Sequence, residues 1–263
     1  MLYNSDSSHA SQHLKVFFQV FLVLHHNLHF LVPKIEIYYL ITSSTFEPIM
    51  AKVWADQPFS LIPTPTEAQT KGVRNLPPTI LYPKTNQSKF CKEVIAVARE
   101  MCLAHNAMIR NINAIYLQCE QVTKPTDQAD FIIFCQAAIE VIHTHHQMEE
   151  TNLFPQVAEY TGEENIMQTN IEQHRAFDAG LQIFEDHIYK LTPEKYDGVE
   201  LKRLLEGFAE VLVVHLSDEI QTLLALQKYG GDKLGAVFEN FNKKVMDSVK
   251  DKVCSSFCPC GNT

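Results

Sequence analysis

Histidine recurs in four separate stretches of helical periodicity, and in three of them an acid follows one helical turn later. The stretches are His105, His145-His146-Gln147-Met148-Glu149-Glu150, His174-Arg175-Ala176-Phe177-Asp178 and His215-Leu216-Ser217-Asp218-Glu219. Residues four apart share a helix face, so one face can offer an imidazole and a carboxylate to the same point. Buried imidazoles and carboxylates are costly unless paired or metal-bound. Helices that present them to a common axis build a metal site inside a bundle. This pattern restricts the chain to an all-α fold with a polar centre.

The spacing of apolar residues predicts the helices. The first runs from Ser88 to Gln121, with Val94, Ile95, Ala98, Met101, Cys102, Ile109, Ile112 and Ile115 on one side. After Lys124-Pro125-Thr126, a second runs from Asp127 to Tyr160 with Thr126 as its N-cap. Thr161-Gly162-Glu163-Glu164 reads as a capping box that opens a third helix, ending near Lys190. Thr192-Pro193 reads as an N-cap followed by proline at the first helical position. It opens a fourth helix that continues to Tyr229, where Gly230-Gly231 stops it. A fifth, amphipathic helix spans Lys233 to Val253. No strand alternation follows residue 85. Short connections between long helices predict an antiparallel up-down four-helix bundle over 88–230, with 231–263 as a C-terminal helix and cysteine-containing tail.

Upstream, Gln57 to Lys84 carries six prolines, which excludes regular helix. Residues 50–87 read as an extended arm lying over the domain, because Phe59, Leu61, Ile62, Leu76, Ile80 and Leu81 would otherwise be exposed. The first 49 residues look foreign to the rest. Their apolar run from Val16 to Leu24 is shorter than the roughly 20 residues of a membrane span. The reading here is a start of translation at Met50, with a weak anchor as the alternative.

Composition limits function. The formal charge is −9, and no run of lysine and arginine supplies the footprint of nucleic-acid binding. Cys91, Cys102, Cys119 and Cys135 stand singly in helical segments, which favours reduced thiols and a cytoplasmic setting. Cys254, Cys258 and Cys260 in the tail lack the second cluster of a structural metal site.

Taken alone, His105 among Met101, Cys102, Ile109 and Ile112 reads as a core histidine bonded to a backbone carbonyl. His145 and His146 point about 100° apart, so one of the pairs His145/Glu149 and His146/Glu150 holds metal and the other is outer or solvated. His174 sits between polar Gln173 and Arg175 but beside the apolar stripe of Phe177 and Leu181. His215 follows the apolar run Val211-Leu212-Val213-Val214, and Glu219 is hard to bury without a cation. Glu150, Asp178, Asp218 and Tyr116 are candidate outer partners of the imidazoles.

The stretch His145-His146-Gln147-Met148-Glu149-Glu150-Thr151-Asn152-Leu153-Phe154-Pro155 resembles the H-x-x-x-E-E-x-x-L-F-P signature of hemerythrin-like (HHE cation-binding) domains. Gln173-His174 resembles that family's third-helix histidine. His215 with Glu219 resembles its fourth-helix pair, although the oxygen carriers place an aspartate one residue further on. His105-Asn106-Ala107-Met108-Ile109-Arg110 resembles its first-helix segment. The resemblance implies a site of His105, His145, Glu149, His174, His215 and Glu219. It also implies a non-haem di-iron cofactor, ahead of zinc or manganese, and a small ligand such as dioxygen or nitric oxide. Where the oxygen carriers have a second histidine on the third helix this chain has Asp178, which puts reversible oxygen carriage in question. A metal-binding protein is the leading function. A di-iron oxidase or peroxidase-like enzyme and a metal-free structural bundle are the alternatives. On this reading, His145→Ala and Glu149→Ala remove most iron binding and His146→Ala far less.

Overall fold

A computed structural model describes residues 54–66, 84–229 and 234–257. The expectations for residues 1–49, for Leu76, Ile80 and Leu81, and for Cys258 and Cys260 lie outside the described residues, as does the side chain of Cys254. The described residues are helical, with no strand among them: α1 Lys84–Gln118, α2 Pro125–Met148, a π-helical turn Glu149–Leu153, α3 Phe154–Thr161, α4 Gln168–Lys190, α5 Gly198–Glu206, α6 Ala209–Ala225 and α7 Leu234–Phe257. None of these helices is long and apolar enough to cross a membrane.

Four of them form a ring. Helix α1 packs on α2, α2 on α4, α4 on α6, and α6 returns to α1. This is the expected four-helix bundle, and its order follows from the inward stripes. Met101, His105, Met108, Ile109, Ile112 and Ile115 of α1 are buried at three- and four-residue intervals, as are Phe177, Leu181, Phe184 and Ile188 of α4. A stripe of that spacing faces one side of a helix. Full burial of one such aliphatic side chain contributes about 1.5–3 kcal/mol.

Several boundaries differ from expectation, and α1 already begins at Lys84, inside the span expected to be extended. The fourth helix is not continuous: a 3-10 turn at Pro193–Lys195 precedes α5, and the chain breaks again at Gly207-Phe208 before α6. At that break α4 approaches closely, which the missing side chain of Gly180 permits. A Cβ on Gly180 would stand 2.8 Å from the Gly207 carbonyl oxygen. Thr161 does not open a helix. Its hydroxyl donates back to Val157, and Gly162, at φ 71°, ends α3 in the left-handed conformation that glycine adopts without strain. At the start of α2, Pro125 takes the first turn, and Thr126 bonds to Asp127 instead of capping.

The described part of the arm lies antiparallel along α1, held mainly through its backbone. Asn106 accepts the Ile62 N–H at 2.7 Å and donates to the Ile62 carbonyl at 3.0 Å. Asn113 accepts the Phe59 N–H and donates to the carbonyls of Phe59 and Ala55. Arg99 donates to Pro65, and Arg110 pairs with Asp56. Polar side chains at 99, 106, 110 and 113 thus lie on the outer stripe of the helix that turns His105 inward. Across the other side of the bundle, α7 packs on α1, α3 and the π-helical turn. Phe238 and Phe241 of α7 are buried, and Lys244 donates to Asn152.

Candidate metal centre

The centre begins with a local irregularity in the second helical segment. Pro155 has no N–H and its ring clashes with the carbonyl four residues back. Ahead of it the helix widens into the π-helical turn, where the Phe154 N–H bonds to Glu149, five residues back. Such turns occur often at functional sites. Glu149 stands where the regular helix gives way, and it is fully buried.

His145 and His146 both accompany Glu149 into the interior. On a helical wheel Glu149 lies about 40° from His145 and about 60° from His146, between them. His146 is buried, and His145 retains 13% side-chain exposure. The expectation that one histidine–acid pair holds the metal and the other is outer or solvated is corrected for His146, which is buried among the ligand atoms. An inward face about 100° wide holds both, with Glu149 at its middle.

Two overlapping groups of ligand atoms result. His105, His145, Glu149 and Glu219 form one, and His146, Glu149, His174 and His215 form the other, each with its ligand atoms within 4.8 Å of one another. Glu149 belongs to both. The distances from imidazole Nε2 to carboxylate are 2.8 Å for His145 to Glu149, 3.4 Å for His105 to Glu219, 3.6 Å for His174 to Glu149 and 3.8 Å for His215 to Glu219. These are ion-pair approaches and not aligned hydrogen bonds. Both oxygens of Glu149, both of Glu219 and both ring nitrogens of His146 are buried without a hydrogen-bond partner. Six orphaned polar atoms in one place have the character of a cation site.

The outer nitrogens set the tautomers. His105 Nδ1 donates to the Leu216 carbonyl at 2.7 Å, His174 Nδ1 to Glu150 at 2.7 Å, and His215 Nδ1 to the Gln173 amide oxygen at 3.3 Å. With its Nδ1 protonated, a neutral imidazole has a lone pair at Nε2. His174 Nε2 and His215 Nε2 face each other at 3.1 Å, and His105 Nε2 faces His145 Nε2 at 3.0 Å. The first of these pairs has no proton to share. Two nitrogens bound at right angles to one ion, each about 2.1 Å from it, lie about 3 Å apart, so a cation fits there and a hydrogen bond does not.

Burial favours the neutral form of four of the imidazoles. It lowers His145 to about 4, against the opposing charge of Glu219, and lowers His215 to about 3. Burial also pushes His146 well down and His174 down. Burial and the charge of Glu219 push Glu149 well above the usual carboxylate range. Burial acts the same way on Glu219, but the imidazoles of His105, His215 and His145 outweigh it and hold Glu219 at about 2. Neutral imidazoles and a carboxylate that resists ionisation alone are ready for a cation.

All six residues expected from the sequence, His105, His145, Glu149, His174, His215 and Glu219, converge here, and His146 joins them. Of the outer partners, Glu150 reaches His174, and Asp218 acts through Gln173. Asp178 is exposed and stands outside both groups. The Tyr116 ring meets Phe59 and the Lys202 ammonium instead. Phe177 packs on His146, His174 and His215, while Val211, of the apolar run before His215, is 43% exposed. Helix α6 turns Leu212, His215, Leu216 and Glu219 inward, which leaves Val211 and Val214 outside.

A helical ring with histidines and glutamates from four helices at its axis defines a cation-binding bundle. The family model for the hemerythrin HHE cation binding domain matches residues 80–226, and the chain belongs to that family. It is also 36% identical over 153 residues to the dimeric xanthone biosynthesis cluster protein R11 of Cryptosporiopsis sp. (strain 8999). That alignment covers 58% of this chain and 58% of the relative, so the chain spans less than two thirds of the relative's length. No solved structure matches.

Proposed function

We propose that the chain holds two iron ions and binds a small ligand, dioxygen or nitric oxide, at them. One ion would be held by His105, His145, Glu149 and Glu219, and the other by His146, Glu149, His174 and His215. The observation that carries this reading is the pair of Nε2 lone pairs of His174 and His215, which face each other at 3.1 Å with no proton between them. Mixed imidazole and carboxylate donors suit iron, with zinc and manganese as the other candidates. With His146 counted, five histidines converge, which offsets the absence of one at Asp178. The bound metal would supply reversible electron transfer to or from a small ligand. The chain's own residues bind the ions and orient the imidazoles of His105, His174 and His215 through their outer nitrogens. The Phe177 and Phe154 rings on the histidines keep water away. Buried free Cys102, Cys119 and Cys135 support a reducing, cytoplasmic setting.

Metal analysis of the purified protein after dialysis, with optical spectra in the presence and absence of dioxygen and of nitric oxide, tests the proposal. It expects about two irons per chain and a spectrum that changes with the gas. Zinc alone, or no metal, overturns it. A second reading is oxidation of an organic substrate, favoured by the relative's name, which places that protein in a biosynthesis cluster. Dioxygen uptake that requires an organic substrate would decide for it.

A further inference from the structure

Three imidazoles of the centre have an outer acceptor, and the three acceptors differ in one respect. The Leu216 carbonyl and the Glu150 carboxylate can only accept. The Gln173 amide can accept through its oxygen or donate through its nitrogen. Turned over, it would place an N–H against His215 Nδ1. The imidazole would then carry its proton on Nε2, aimed at the centre, and would cease to be a ligand. Something must hold that amide in one orientation. Asp218, an exposed residue of α6, accepts from Gln173 Nε2 at 2.9 Å, which leaves the amide oxygen for His215. A carboxylate cannot donate to the amide oxygen, so the reversed orientation would lose this bond and set acceptor against acceptor.

We infer that Gln173 and Asp218 are positioning residues: Asp218 fixes the orientation of the Gln173 amide, and the amide fixes the His215 tautomer that turns Nε2 toward the centre. The inference rests on the metal-site reading above only for its consequence, since the tautomer can be read without any metal. Its logic also explains why only this imidazole needs a second residue behind its acceptor.

The experiment compares Asp218→Asn alone and combined with Gln173→Glu in the full chain, read in two ways. In metal-free protein, nitrogen NMR of the histidines reports which nitrogen of His215 is protonated. Titration with Mn2+, followed by its electron paramagnetic resonance, reports binding. Asp218→Asn can donate to the amide oxygen and so releases the lock. It is expected to mix the His215 tautomers and to weaken Mn2+ binding by ~10-fold or more, the range for outer partners of a metal ligand. Gln173→Glu can only accept. Alone, it would set a carboxylate against Asp218, 2.9 Å from the amide nitrogen it replaces, so it is combined with Asp218→Asn, whose amide can donate to it. The double variant is expected to restore the Nδ1-protonated form and Mn2+ binding that Asp218→Asn alone loses. If Asp218 acted only as a nearby negative charge, Asp218→Asn alone would weaken Mn2+ with the tautomer unmoved, and that result overturns the inference. A His215 tautomer that stays fixed in Asp218→Asn overturns it as well. Wild-type protein that takes up neither Mn2+ nor Fe2+ while the tautomer responds as expected overturns the metal reading and leaves the amide lock standing.

Discussion

Glu149 sits between two consecutive histidines and is shared by both groups of ligand atoms. Glu149→Ala is therefore expected to strip the centre of metal, read as metal content after dialysis. His146→Ala and His145→Ala should each weaken binding by ~10-fold or more, taking the cost of lost metal-site residues as a guide. Retention of full metal content by His146→Ala would restore the single-pair reading of the sequence. The same residues make the metal-free protein sensitive to acid. His145 and His215 titrate near 4 and 3 when folded and near 6.5 when unfolded. Between those values the unfolded chain binds more protons, so stability falls as pH drops below 6.5. Glu149, pushed up, opposes this above about pH 4.5, but it is one group against His145, His146, His174 and His215. Thermal melts of metal-free protein from pH 7 to pH 4 are expected to decline steadily. A flat profile would mean the imidazoles are not buried neutral. The resemblance implied the six residues that meet at the centre, and five of them, all but His105, also lie in histidine–acid spacings of one helical turn. His146 was legible too, since 40° and 60° on either side of Glu149 is wheel arithmetic. Treating the two histidine–acid pairs as rivals hid it. Gln173 was not legible, because its role depends on α6 standing beside α4.

At the scale of elements, the π-helical turn and the arm have separable effects. Pro155→Ala restores an N–H and lets the helix regularise. It is expected to hold or raise the melting temperature while lowering metal content, because Glu149 is drawn out of register with His174. A loss of stability with metal content intact would assign the turn a packing role alone. Ile62→Pro removes the N–H accepted by buried Asn106 and, with it, the buried Ile62 side chain. The unsatisfied amide oxygen should cost about 1–3 kcal/mol in denaturant unfolding, on top of the lost aliphatic burial. The helices themselves were readable from apolar period. The break at Gly207-Phe208 was not, because it answers to the closeness of α4 at Gly180, a tertiary fact. The Thr161 motif misled for a related reason. A Thr-Gly pair suits a helix end as well as a start, and the left-handed Gly162 selects the end.

For the whole molecule, the ring of helices tolerates little at its close approaches. Gly180→Ala drives a methyl into the Gly207 carbonyl, and the melting temperature is expected to fall by several degrees. Protein lacking residues 1–49 is expected to load metal as the full chain does, measured side by side. The donors are spread along the chain: 40 residues separate His105 from His145, and 41 separate His174 from His215. An ion gripped by both ends of such stretches acts as a cross-link, closing long loops that packing and hydrogen bonds such as Gln136 to Ile188 and Gln173 to Asp218 also hold. Closing a loop removes freedom from the unfolded chain, and an ion that prefers the folded form deepens its well by mass action. The centre is thus a clasp as well as a binding site. A chelator should loosen α1, α2, α4 and α6 together, and hydrogen exchange would register the four as one cooperative unit.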